Sequence, residues 1–131
     1  MTSFYSNSAE QFRKSFNLPT HTSRDGIRLQ QTLISEEYAE LNQATSQASR
    51  SFFNEKLREE MLKELADLLY VCHQMAAYLG WNIDEAYKRV HESNMSKLDN
   101  DGLPVYRDDG KILKGPNYKL PDLSELVRQQ N

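Results

Sequence analysis

Met61–Gly80 reads MLKELADLLYVCHQMAAYLG. Leu62, Leu65, Leu68, Leu69 and Cys72 leave little of a helical surface for water, so the segment is expected to be an interior helix. Yet it carries Glu64 and Asp67, three positions apart and therefore on one helical face. An ionised carboxylate taken out of water without a partner costs on the order of several kcal/mol, and a like charge beside it raises that cost. Neither Lys63 nor Arg58 is spaced to neutralise both acids together, so the pair is read as half of a cation site.

Working outward, residues 28–44 read RLQQTLISEEYAELNQA, with Leu29, Leu33, Leu41 and Ala44 tracing the apolar stripe of a second helix. Glu37 lies four positions after Leu33 and four before Leu41, which puts it on that stripe, with Glu36 and Glu40 flanking it. Two facing helices would then gather Glu37, Glu40, Glu64 and Asp67 as four hard oxygen ligands, a set suited to Mg²⁺ or Mn²⁺. The competing reading is two solvated acidic faces.

The breakers divide the remaining chain. A short helix is expected over residues 8–16, stopped by Asn17 and Pro19; Thr22 and Ser23 cap a long helix from about residue 24 to 49, with Gly26 a weak point near its start. A third helix spans about 54–79 and ends at Gly80, and Asn82, with Glu85 three residues on, caps a fourth that continues to about residue 98. Gly102, Pro104, Gly110, Gly115 and Pro116 then exclude helix. Within PVYRDDGKILKG, Asp109-Gly110 separates Val105–Arg107 from Lys111–Leu113, a hairpin signal. The expected architecture is a single all-α domain over 1–131, with a four-helix core at about 8–98 and an extended, hairpin-bearing tail at 99–131.

Composition bounds the function classes. At 131 residues and a net charge of −3, the chain has no basic surplus for nucleic acid. Its single cysteine, Cys72, on a buried-looking stretch, excludes an intrachain disulfide, suggests a reducing compartment and makes poor material for a nucleophile. The start has neither the basic segment nor the apolar core of a signal peptide, and no run is long enough to span a bilayer, so a cytoplasmic location without membrane attachment is expected.

The series EEYAE, then KELADLLY, then HESNMSKL resembles the MazG-like and phosphoribosyl-ATP pyrophosphohydrolase-like families of all-α nucleoside triphosphate pyrophosphohydrolases. Their acidic signature, two adjacent Glu, a third Glu three later, then a separate Glu with Asp three beyond, is filled by Glu36, Glu37, Glu40, Glu64 and Asp67. The tail DGLPVYRDDGKILKGPNYKLPDL is similar to that of one bacterial and phage branch.

The resemblance implies Mg²⁺-dependent hydrolysis, water attacking the α-phosphorus of a canonical or modified (deoxy)nucleoside triphosphate to leave a monophosphate and pyrophosphate, with Mn²⁺ a substitute. Glu37, Glu40, Glu64 and Asp67 would be the metal ligands, and Glu36 would orient or deprotonate the attacking water or stand outside the site. Asn94 and Lys97, one turn apart, would face the nucleotide, although a lysine there also suits the helix dipole. Arg107, Lys111 and Lys114 would close over the triphosphate from the hairpin. For the base, Phe16 is favoured over Trp81, Tyr70 and Tyr118, while His73 and His91 are read as structural. A homodimer, or a tetramer of paired dimers, is implied as well.

Two alternatives stand beside this reading. One is a relative acting on phosphoribosyl-ATP or dUTP with the same acids; the compact histidine-pathway enzymes generally lack the hairpin tail. The other is a non-enzymatic helical dimerisation module whose acids are solvated or hold a structural ion.

Overall fold

Capping side chains set most helix boundaries in the computed structural model, which describes residues 2–128. The Ser3 hydroxyl accepts from the Ser6 amide and starts α1 (Phe4–Ser15). The helix begins four residues before the expected residue 8 because this cap, rather than the following apolar positions, sets its start. Ser23 accepts from Gly26 N and opens α2 (Arg24–Arg50), and Asn54 accepts from Leu57 N and opens α3 (Glu55–Leu79). Gly80, at φ 71°, closes α3 in the left-handed conformation. Asn82 caps α4 (Ile83–Met95) through Glu85 N, but the Glu85 carboxylate pairs with Arg89 instead of returning to the cap. α4 stops three residues short of the expected end, at a last turn in which Ser96 N donates to both Glu92 O and Ser93 O.

The chain forms two compact units, Met1–Trp81 and Asn82–Asn131. In the first, α3 packs against both α1 and α2. Gly26 approaches Tyr78, while Glu37 approaches Glu64, so the contacts run in opposite order along the two sequences and α2 and α3 are antiparallel. Ala9, Ala44, Ala48 and Ala76 are buried, and among the described residues no large side chain is fully enclosed. Small residues let the backbones approach, and the larger leucines are left partly outside. This corrects the interior reading of α3: Leu62, Leu65 and Leu69 are 67%, 50% and 47% exposed, and Cys72 is exposed too. Two neighbouring helices cannot cover every face of a third.

A polar network ties α1 to α3. Buried Arg13 donates to Gln74 Oε1 at 3.3 Å and to Pro19 O at 2.8 Å, with its guanidinium 5.2 Å from the Tyr78 ring centroid. Gln74 in turn donates to Ala9 O at 3.4 Å. Tyr78, also buried, receives a hydrogen bond from Ser23 N at 2.9 Å and donates to His21 O at 3.0 Å, fixing the entry to α2.

In the second unit, β1 (Val105–Tyr106) and β2 (Ile112–Leu113) form the expected hairpin, antiparallel with Val105 opposite Leu113. The tail is sewn onto α4: Ser93 Oγ donates to Lys119 O at 2.7 Å, Lys119 N donates to Ser96 Oγ at 3.0 Å, and Gly115 N donates to Lys97 O at 2.9 Å. Arg89 holds both Glu85 and Glu125.

Gly26 is no weak point. A Cβ there would stand 1.8 Å from the Tyr78 hydroxyl oxygen, so the missing side chain admits the residue that fastens the α2 entry. Gly26→Ala is therefore expected to destabilise the protein by about 1–3 kcal/mol through overpacking, despite the higher helix propensity of alanine, and denaturant titration reads that loss directly.

Candidate metal centre

The acids converge because α2 and α3 lie side by side at the level of Glu37 and Glu64. One carboxylate oxygen from each of Glu37, Glu40 and Glu64 lies within 4.8 Å of the other two. Glu37 and Glu64 are half-buried and Glu40 is exposed, so the trio sits at a surface with one wall of helix behind it. Glu37 Oε2 and Glu64 Oε2 are inaccessible to solvent and have no hydrogen-bond partner. Buried acceptors are normally satisfied, and two unpartnered carboxylate oxygens in one cluster fit a divalent ion that bonds to oxygen.

The electrostatics agree. The Glu37 carboxyl is pushed above its ordinary value, first by burial and then by Glu40, Asp67 and Glu64 around it. Repulsion of this kind is what a bound cation would relieve.

Asp67 is held differently. Its Oδ2 lies 2.7 Å from Lys63 Nζ, and the same ammonium lies 3.4 Å from Glu64 Oε1. Lys63 thus reaches both acids, contrary to the expectation from spacing: it is one turn before Asp67 and adjacent to Glu64, and its flexible stem lets one ammonium serve both. The two acids together hold the Lys63 ammonium more firmly protonated than usual. Arg58 is engaged elsewhere, 5.8 Å from the Phe52 ring centroid. Glu36, next to the trio in sequence, is exposed.

The remaining candidates have their own surroundings. Phe16 is exposed and its ring centroid is 4.6 Å from that of Phe12; Tyr70 meets Phe12 edge-on at 5.7 Å. Trp81 is 44% exposed. His73 stacks on Tyr5 at 5.6 Å. In the second unit, Asn94 and Lys111 are exposed and Lys97 is half-buried at the end of α4. Arg107 is bound by Asp109 through two hydrogen bonds, which also hold the Asp109 carboxyl below its ordinary range. Lys114 lies 4.9 Å from the centroid of the Tyr118 ring.

Residues 5–94 match the sequence profile of the phosphoribosyl-ATP pyrophosphohydrolase family, and with that match spanning most of its length the chain belongs to this family. The segment contains all five acids and leaves out the hairpin. The chain is also similar to an uncharacterised protein of Acanthamoeba polyphaga mimivirus, with 28% identity over an alignment covering 48% of this chain and 38% of that protein. It therefore spans well under half the length of that relative. Among the described residues, no helix is long and apolar enough to cross a membrane.

A pH dependence follows from Glu37. A carboxyl whose folded pKa is raised favours the folded state below its unfolded value, near 4.5, and loses that advantage as pH rises through the folded value. In chelator, Glu37→Gln should therefore unfold at a higher temperature than the wild type at neutral pH, with the difference shrinking as pH falls toward 4.5. Parallel melting curves of the two proteins across that range test the sign; a difference that widens on acidification refutes it.

Proposed function

We propose that the chain is a divalent-metal-dependent pyrophosphohydrolase that converts nucleoside triphosphates, ribo- or deoxyribo-, to monophosphates and pyrophosphate. The observation that carries the reading is the convergence of Glu37, Glu40 and Glu64 with two unpartnered buried oxygens, within the stretch that matches the family. Glu37, Glu40 and Glu64 would hold Mg²⁺ or Mn²⁺, joined by Asp67. When bound, the ion neutralises phosphate oxygens and acts as a Lewis acid.

The chain's own residues then have defined tasks. α2 and α3 fix the carboxylates on rigid elements, so their positions need little rearrangement when substrate arrives. Glu36, exposed beside Glu37, is assigned to orient the water and accept its proton. As the water oxygen bonds to the α-phosphorus, the bridging bond to the β-phosphate oxygen breaks and pyrophosphate leaves. Phe16, in the same unit as the acids, is assigned to the base, and within the second unit Asn94, Lys97, Arg107, Lys111 and Lys114 are the side chains with donors suited to phosphate. Arg107 would have to leave Asp109 to bind one.

Phosphoribosyl-ATP is the second reading, favoured by the name of the matching family. It requires the same cleavage between the α- and β-phosphates. The hairpin outside the matched segment weighs toward other nucleotides.

A homodimer, alone or paired into a tetramer, is part of the proposal. Leu62, Leu65 and Leu69 form an exposed apolar stripe on α3, and a second copy covering it would give the acid-bearing helix the apolar contacts it lacks in one chain. Sedimentation should give a dimer or tetramer mass, and Leu65→Glu should lower it.

Pyrophosphate release, screened over the common ribo- and deoxyribonucleoside triphosphates and phosphoribosyl-ATP with Mg²⁺ or Mn²⁺, tests the activity. A flat response across the panel would favour a helical dimerisation module. Glu64→Gln and Asp67→Asn keep shape while removing ligand charge, so each should lower turnover at least about a hundredfold with helicity retained. Wild-type turnover in either folded variant would remove that residue from the mechanism.

A further inference from the structure

The first unit contains a lysine whose place among the acids the proposed reaction does not use. Lys63 extends from α3 with its side chain 66% exposed, yet its ammonium lies 2.7 Å from Asp67 and 3.4 Å from Glu64. Its contact with Glu64 is to Oε1, while Oε2 of the same carboxylate is the buried, unpartnered atom. The acids are thereby divided: Glu37 Oε2 and Glu64 Oε2 have no partner, while Asp67 already has a cation.

We propose that Lys63 is a tethered counterion that competes with the divalent ion for Asp67 and Glu64, and so sets the affinity and reversibility of metal binding. The inference rests on the metal-site reading above. An ammonium donates hydrogen bonds and cannot share a carboxylate oxygen with a metal at bonding distance, so recruiting Asp67 requires the lysine to move away. Its exposure makes that movement inexpensive: the stem swings into water without disturbing packing. With the metal gone, the ammonium returns and limits the repulsion that burial alone would leave among the carboxylates. Displaced, it becomes a mobile positive charge at the edge of the site, of the kind a departing pyrophosphate would meet.

Calorimetric titration of full-length protein with Mg²⁺ alone and Mn²⁺ alone, at about 0.15 M salt, tests this. Lys63→Gln keeps a long helix-compatible side chain and removes the competitor. It should tighten binding of both ions by about three- to tenfold, the scale of releasing two exposed ion pairs. Lys63→Arg, which keeps the charge, should bind within about twofold of wild type. Lys56→Gln removes an equal charge two turns earlier on α3, where the lysine faces Glu59. Because exposed charges are screened over about 8 Å in such salt, this variant should leave the affinity unchanged.

The metal-induced rise in melting temperature at a fixed ion concentration should also be larger in Lys63→Gln than in wild type. Unchanged or weakened binding in Lys63→Gln overturns the competition, as does equal tightening in Lys56→Gln, which would mark a general charge effect. Absence of binding to every variant and to wild type overturns the metal site itself, and this inference with it.

Discussion

Antiparallel contact between α2 and α3 is the constraint on which the rest depends. It is fastened at one end by Tyr78 reaching over Gly26 to Ser23 and His21, and the alanines Ala44 and Ala48 of α2 and Ala76 of α3 are buried. That fastening fixes the register, and the register brings Glu37 level with Glu64. A shift of one residue would rotate the acids by about 100° and disperse them. The tyrosine is thus a device of the site as much as of the fold, although it touches no acid.

The acid cluster imposes a cost on the same contact. The carboxyl of Glu37, half-buried with three other carboxylates around it, is pushed above its ordinary value. Helix packing and the Arg13–Gln74–Ala9 network supply stability elsewhere in the unit, so a repulsive site can persist on its surface. Lys63 brings one ammonium to two of these carboxylates, and an exposed lysine contact is weak enough to yield to a divalent cation. A buried arginine in that place would have sealed the site.

The second unit follows a different logic. Its tail contributes little apolar burial and is held by discrete hydrogen bonds to α4, by Arg89 with its two glutamates, and by a two-residue-per-strand hairpin. Such contacts order a polar segment without a large core. The basic side chains there are partly engaged already, Arg107 with Asp109 and Lys114 with Tyr118.

Much of this was legible in the chain itself. The period of leucines and alanines, the caps Ser23 and Asn82, Gly80 and Asp109-Gly110 determined four helices and a hairpin, because each acts through its own neighbours in sequence. The pairs Glu37 with Glu40 and Glu64 with Asp67 were visible for the same reason: helical spacing fixes which residues share a face. What tertiary structure alone decided lies between elements or beyond the reach of spacing. Gly26 became a point of close approach once Tyr78 lay over it, and the leucines of α3 remained exposed because α1 and α2 leave that face of the helix uncovered. Lys63, by contrast, took Glu64 and Asp67 within its own helix: a flexible stem reaches both, which helical spacing allowed and the residue count passed over.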